Sequence, residues 1–181
     1  MAPPHAPDTC WDRELLIRAG YTPGYLSRSV FGVERSIQSA VWHDMEGSLP
    51  GAIARWNTGA AGAHLCVLQT GEVVLTCRLD DIAWHAGTHG VSGKDGYGRT
   101  PFWRTHNINP YSVGIELEGF CTRGYTDQQV AACKRVAGWL TARYGILREH
   151  TEDRIEGHHA HSDLSSFRRD PGDLFDWAWV L

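Results

Sequence analysis

Several signals that would each point to a function are missing from this chain. No apolar run approaches the roughly 18 residues of a membrane-spanning helix, so no spanning segment and no membrane partner are expected. There is no excess of positive charge: 17 Lys and Arg stand against 21 Asp and Glu, for a net charge of −4. That balance gives no support to a nucleic-acid partner. Five cysteines are an odd number, and none sits in a C-x-x-C pair, so Cys10, Cys66, Cys77, Cys121 and Cys133 are expected to be reduced and mostly buried. The opening MAPPHAPDTCWDRELL has no basic start followed by an apolar stretch, so a protein made in the cytoplasm without a secretory signal is expected. Internal repeats and low-complexity tracts are absent. At 181 residues the chain suggests one domain with a short extension, long enough for a core without disulfide support.

Two residue types are abundant. Ten histidines and eight tryptophans are high counts for this length. Histidine is the commonest metal ligand and titrates near neutrality. Tryptophan suits sugar and peptide surfaces as well as cores. Composition hints at a metal site in an aromatic-lined cleft.

Residues 1–35 read as an extension, opening Pro-rich, with an amphipathic stretch at Trp11 to Ala19 and a turn at Thr22-Pro23-Gly24. Their charges balance, so they do not form a basic arm. From Ser36 the signals sharpen into a domain over 36–181. Ser39 to Trp42 reads as a strand ending at His43, and Pro50 to Trp56 as a helix with proline in its first turn. Residues 63–68 and 72–77 flank Thr70-Gly71 as a hairpin. Residues 111–118 alternate apolar and polar, another strand. Thr126 and Gln129 form a capping box, apolar residues recur at helical spacing from Val130 to Tyr144, and Gly145 ends the run. Arg154 to His158 reads as a short strand, Asp170-Pro171-Gly172 as a turn, and 174–181 as an aromatic-rich tail. These elements imply an α/β domain, a central mixed sheet flanked by helices.

Candidate chemistry gathers in a few places. Three histidines lie within four positions at His158, His159 and His161, behind a strand, and Asp170 follows. A catalytic zinc takes three protein ligands and leaves a fourth position to water. His43, one histidine of the 158–161 group and Asp170 would supply that set. Glu116 and Glu118 lie on one face of a strand, where a carboxylate beside a metal would serve as general base. The segment Trp84-His85-Ala86-Gly87 also reads as a strand end with a packed indole.

Taken in order, these motifs resemble a known family. They run Val41-Trp42-His43, Ala63-His64, Thr70-Gly-Glu-Val, Ala83-Trp84-His85-Ala86-Gly87, Asn109, Ser112-Val-Gly-Ile-Glu116-Leu-Glu118-Gly, and Tyr125-Thr-Asp-Gln-Gln. Arg154-Ile-Glu-Gly-His158, Asp170-Pro-Gly and Phe175-Asp-Trp177 complete the series. The chain resembles the type-2 zinc N-acetylmuramoyl-L-alanine amidases, which include bacteriophage endolysins, cytosolic anhydromuropeptide amidases and animal peptidoglycan recognition proteins. The resemblance implies one zinc per chain, held by His43, His158 and Asp170, with His161 the alternative to His158. It implies Glu116 as catalytic acid/base and Arg168 (or Arg169) as the cation that stabilises an oxyanion, in a place where the family usually has lysine. It also implies His64, Trp84 and His85 beside a peptidoglycan or muropeptide substrate, in a monomer. Presence of Asp170 favours an enzyme over a binding module that keeps the fold without the chemistry. Within the enzyme reading, a phage or prophage endolysin acting on the cell wall is preferred, with a cytosolic recycling amidase as the alternative.

Overall fold

The computed structural model describes residues 35–58, 61–79, 82–86, 102, 106–165 and 167–181. The expected Trp11–Ala19 stretch, the 22–24 turn, Cys10 and Gly87 lie outside them. The elements run β1 (Ser39–Asp44), α1 (Leu49–Trp56), β2 (Leu65–Val67), β3 (Val73–Leu75), β4 (Ser112–Leu117), α2 (Asp127–Tyr144), β5 (Gly157–Ala160) and α3 (His161–Leu164). The sheet order is β3-β2-β4-β1-β5. The β2–β3 pair is antiparallel, as its turn implies, and β2, β4, β1 and β5 run parallel. Among the described residues, no helix is long and apolar enough to cross a membrane.

Alternation along the strands sorts side chains by face. Ala40, Trp42, Leu65, Val67, Val113, Ile115 and Leu117 point to one face, where Ala132, Cys133, Val136, Ala137 and Leu140 of α2 cover them. Leu140 is fully buried, worth roughly 1.5–3 kcal/mol over an exposed position. The α2 helix starts as its sequence implies: Thr126 Oγ1 accepts from the Gln129 backbone N–H, and the Gln129 side chain accepts from Thr126 N–H. It ends where Gly145 takes a left-handed conformation at φ 71°. On the opposite face, Leu49, Ile53 and Trp56 of α1 pack on Cys66 and Val74, while Ala86, Ile108 and Leu164 cover Val41.

Three expectations are adjusted. The fifth strand lies at Gly157–Ala160 rather than 154–158, because Gly157 turns the chain at φ 102° and the ladder begins only there. Residues 82–86 are irregular rather than a strand end. Arg35, read as the last residue of the extension, is part of the fold: its guanidinium donates to the Ser112 carbonyl and lies 2.9 Å from His64 Nε2. No disulfide joins the described cysteines, and Cys66, Cys77 and Cys133 are buried.

Gly114 occupies a position where no side chain fits. A Cβ there would lie 2.3 Å from the Cγ of His85. Gly114→Ala is therefore expected to lower stability by about 1–3 kcal/mol through overpacking; a denaturant melt with an unchanged midpoint would contradict it.

Candidate active site

The parallel register decides which residues meet. On β1, His43 pairs level with Glu116 of β4. On the other side of β1, Ala160 of β5 pairs with Trp42, so His161 follows at the level of His43. His43, Glu116 and His161 thus gather at the carboxyl ends of three adjacent parallel strands, the usual place for a site in such a sheet. Asp170 arrives from the loop beyond α3, held in part by the Ser162 N–H donating to its carbonyl.

The resulting cluster is tight. His43 Nδ1 and His161 Nδ1 are 3.0 Å apart, and Asp170 Oδ2 lies 3.1 Å from the first and 3.0 Å from the second. Both histidines are buried and Asp170 is nearly so. Two ligand atoms of a tetrahedral zinc stand about 3.3 Å apart when each is roughly 2.0–2.1 Å from the metal. Donor type, number and spacing all fit a zinc site.

This arrangement corrects the choice of second histidine. His158 pairs with Ala40, three residues and about 10 Å below the level of His43. An odd offset also turns it to the other face, where it stacks on Trp42 with ring centroids 6.0 Å apart. There its Nδ1 accepts from Trp42 Nε1–H at 3.0 Å, and burial lowers its pKa to about 4. His158 is a core residue, and His161 stands in the cluster.

Glu116 lines the same cleft, a cavity of about 270 Å³. Its Oε2 is enclosed and has no hydrogen-bond partner among the described residues. Burial, with the charge of Asp170 beside it, pushes its pKa up to about 8, against the pull of His161 and Arg168. A bound cation would act in the same direction as those two. Glu118, two residues on, serves the fold instead. Its carboxylate accepts from the backbone N–H of Leu49 and of Gln69, tying the start of α1 to the β2–β3 turn. Asp170 feels the opposite balance to Glu116. Burial would raise it, but His161 and His43 together hold its carboxyl far below the usual range.

Arg168 and Arg169 both line the cleft and are exposed. The charge of Arg168 reaches both Glu116 and His161. His85 also lines the cleft, and its Nδ1 lies 3.1 Å from His43 Nε2. Burial, then the neighbouring His43, lowers its pKa well below the ordinary value. His64 sits one layer deeper, its Nδ1 accepting from the Gly114 N–H, with its ring edge-on to His85 at 5.7 Å. Trp84 is not among the cleft-lining residues; its carbonyl accepts from the Gly62 N–H. Neither His64 nor Trp84 lines the cavity; His64 backs it through the His85 ring.

Several lining residues escaped the sequence reading. Ala52, Arg55 and Trp56 share one face of α1 at helical spacing, and that face closes the cleft. Only the packing of α1 revealed which of its faces was used. Asp44 is another: its Oδ1 accepts from the Glu46 N–H and its Oδ2 from the Cys121 N–H, joining the loops after β1 and β4.

The choice between His158 and His161 has a direct test. His161→Ala is expected to lose stoichiometric zinc. His158→Asn, which keeps an acceptor for Trp42, is expected to retain it with a lowered melting midpoint. Elemental analysis after dialysis reads both, and zinc lost only from the second variant would reverse the assignment.

A model of the N-acetylmuramoyl-L-alanine amidase family matches residues 33–173. The 1,6-anhydro-N-acetylmuramyl-L-alanine amidase AmpD of Enterobacter cloacae is 36% identical over 120 residues, 66% of this chain and 54% of that protein. AmpD of Haemophilus influenzae is 31% identical over 120 residues, 66% of this chain and 56% of its own length. The chain therefore spans about half the length of the curated relatives it matches. A solved selenomethionine form of AmpD superposes with a TM-score of 0.57 at 26% identity, covering 82% of this chain and 83% of that one. The endolysin amidase LysCS of Clostridium intestinale shares the fold at TM-score 0.58 and 15% identity, covering 84% and 88%. With the match running from the start of the described fold to the loop after Asp170, the chain belongs to the N-acetylmuramoyl-L-alanine amidase family.

Proposed function

We propose that this chain is a zinc-dependent amidase that hydrolyses the amide between N-acetylmuramic acid and L-alanine, with a soluble anhydromuropeptide as its substrate. The observation that carries the reading is the convergence of His43 Nδ1, His161 Nδ1 and Asp170 Oδ2 beside Glu116, whose enclosed Oε2 has no hydrogen-bond partner among the described residues. His43, His161 and Asp170 would hold one zinc per chain. When bound, zinc would supply a Lewis acid that polarises a carbonyl and lowers the pKa of water to about 7.

The chain's own residues supply the rest. Glu116 takes a proton from the attacking water and returns one to the leaving amine of alanine. Its Oε2 makes no competing hydrogen bond among the described residues, which leaves it available for that transfer. Arg168, at the exposed lip, supplies positive charge where the carbonyl oxygen becomes an anion. Its planar fork presents that charge differently from a lysine point charge. The buried floor formed by His43, His85 and His161 limits water on the inner side of the cleft.

The preference for an endolysin drawn from the motifs is reversed. The matched relatives at 31–36% identity carry the name of anhydromuramyl-L-alanine amidases. The endolysin neighbour shares only the fold, at 15% identity. A recycling enzyme working on soluble fragments in the cytoplasm is the reading these relatives support.

Two outcomes are expected. Purified protein should release a free L-alanine amino terminus from anhydromuropeptides faster than from intact sacculi, as read by mass spectrometry; faster attack on sacculi would restore the lysin reading. Glu116→Gln should keep one zinc per chain yet turn over about 10²–10⁴-fold more slowly. Undiminished hydrolysis by that variant would remove Glu116 from the chemistry.

A further inference from the structure

We propose that His85 and Ser112 are positioning residues that select the tautomer of His43, keeping its Nδ1 bare for the metal; the proposal rests on the zinc reading above. Three contacts in series carry it. Ser112 Oγ donates to the Ile108 carbonyl at 2.9 Å. Its one hydrogen is used there, so in the 3.0 Å contact with His85 Nε2 the oxygen accepts and Nε2 carries the ring proton. His85 Nδ1 then presents a lone pair, which accepts from His43 Nε2–H across 3.1 Å. His43 is left bare at Nδ1, the atom that meets His161 and Asp170.

The two ends of this series agree independently. A ligand nitrogen must be unprotonated, which demands a proton on His43 Nε2 and an acceptor beside it. A backbone carbonyl can only accept, which sends every proton in the series toward Ile108. Hydrogen bonding of a ligand histidine's second nitrogen is the general means of orienting such a ring. Here the partner is another imidazole, itself grounded on backbone through a serine.

The surrounding structure holds the His85 ring in place. It rests on the bare backbone of Gly114, where a Cβ would sit 2.3 Å from its Cγ. Asn109 Oδ1 accepts from the N–H of Ala86, the next residue, at 2.9 Å. His85 is 6% exposed and Ser112 fully buried, so water does not compete for either contact. His43 meets the ring edge-on, at an interplanar angle of 80°.

The test measures zinc affinity by competition with a chromogenic chelator, alongside long-range nitrogen-15 spectra of the His43 ring and a melting curve for each variant. His85→Phe is expected to weaken zinc binding about 10–100-fold. His85→Asn, whose Oδ1 can accept from His43 Nε2–H, should recover most of that loss. Ser112→Ala should fall between them, because the His85 Nε2–H loses its acceptor. In the zinc-loaded native protein, His43 should carry its proton on Nε2. Affinity in folded Ser112→Ala and His85→Phe within twofold of native, or zinc on His43 Nε2, would overturn the proposal while leaving the amidase reading standing. A native chain that binds no zinc would overturn both.

Discussion

Everything in the site depends on the register of β1 between two parallel neighbours. Because side chains in register share a face and a level, one alignment of β1 with β4 brings Glu116 beside His43. One alignment with β5 brings His161 to the same height. A slip of one residue in either ladder would send a functional side chain through the sheet to the α2 side. That register is itself held by the apolar set on the other face: Ala40, Trp42, Val113, Ile115 and Leu117 have to meet α2 together. The core and the chemistry both follow from one alternation.

The site face carries several buried polar groups. His43, His64, His85, His161 and Ser112 all lie at or below 6% exposure. Such groups are costly unless hydrogen bonded, and the structure meets that cost in layers. His64 accepts from a backbone N–H of β4, His85 bonds to Ser112, and His43 joins His85 to the Asp170 cluster. Glycine at 114 is what makes the layers fit, because any side chain there would displace the His85 ring. The acidic residues divide similarly. The Glu116 Oε2 is enclosed without a hydrogen-bond partner among the described residues, while Glu118 satisfies two backbone donors and joins α1 to the sheet. Two carboxylates on one strand face thus act differently because of what surrounds each.

Around this fixed floor, the cleft is closed by α1 and by the segment before Asp170. The face of α1 carrying Ala52, Arg55 and Trp56 forms one wall, and the 167–170 segment with Phe167, Arg168 and Arg169 forms another. Arg168 and Arg169 are adjacent in sequence, both exposed and both on the cleft lining, and the charge of Arg168 acts on both Glu116 and His161. Arginine in that place keeps the positive field at the mouth of the cleft.

Much of this was legible without coordinates. Local signals are decided by neighbours in sequence, so the capping box at Thr126, the glycine stop at Gly145, the Thr70-Gly71 hairpin and the face of Glu116 could be read directly. The ordered motifs pointed to the family and named His43, Glu116 and Asp170 as candidates, which the fold brings to one cleft. Which of two nearby histidines joins that set was not readable, because His158 and His161 differ only in register against a strand more than a hundred residues away. His158, on β5, faces the core against Trp42, whereas His161, just past the end of β5 at the start of α3, faces the cleft. The roles of His85 and Ser112 needed the fold for the same reason: a hydrogen-bond series through residues 43, 85, 112 and 108 exists only after three separate segments are packed together. Sequence determined which side chains were available, and long-range pairing determined which of them meet.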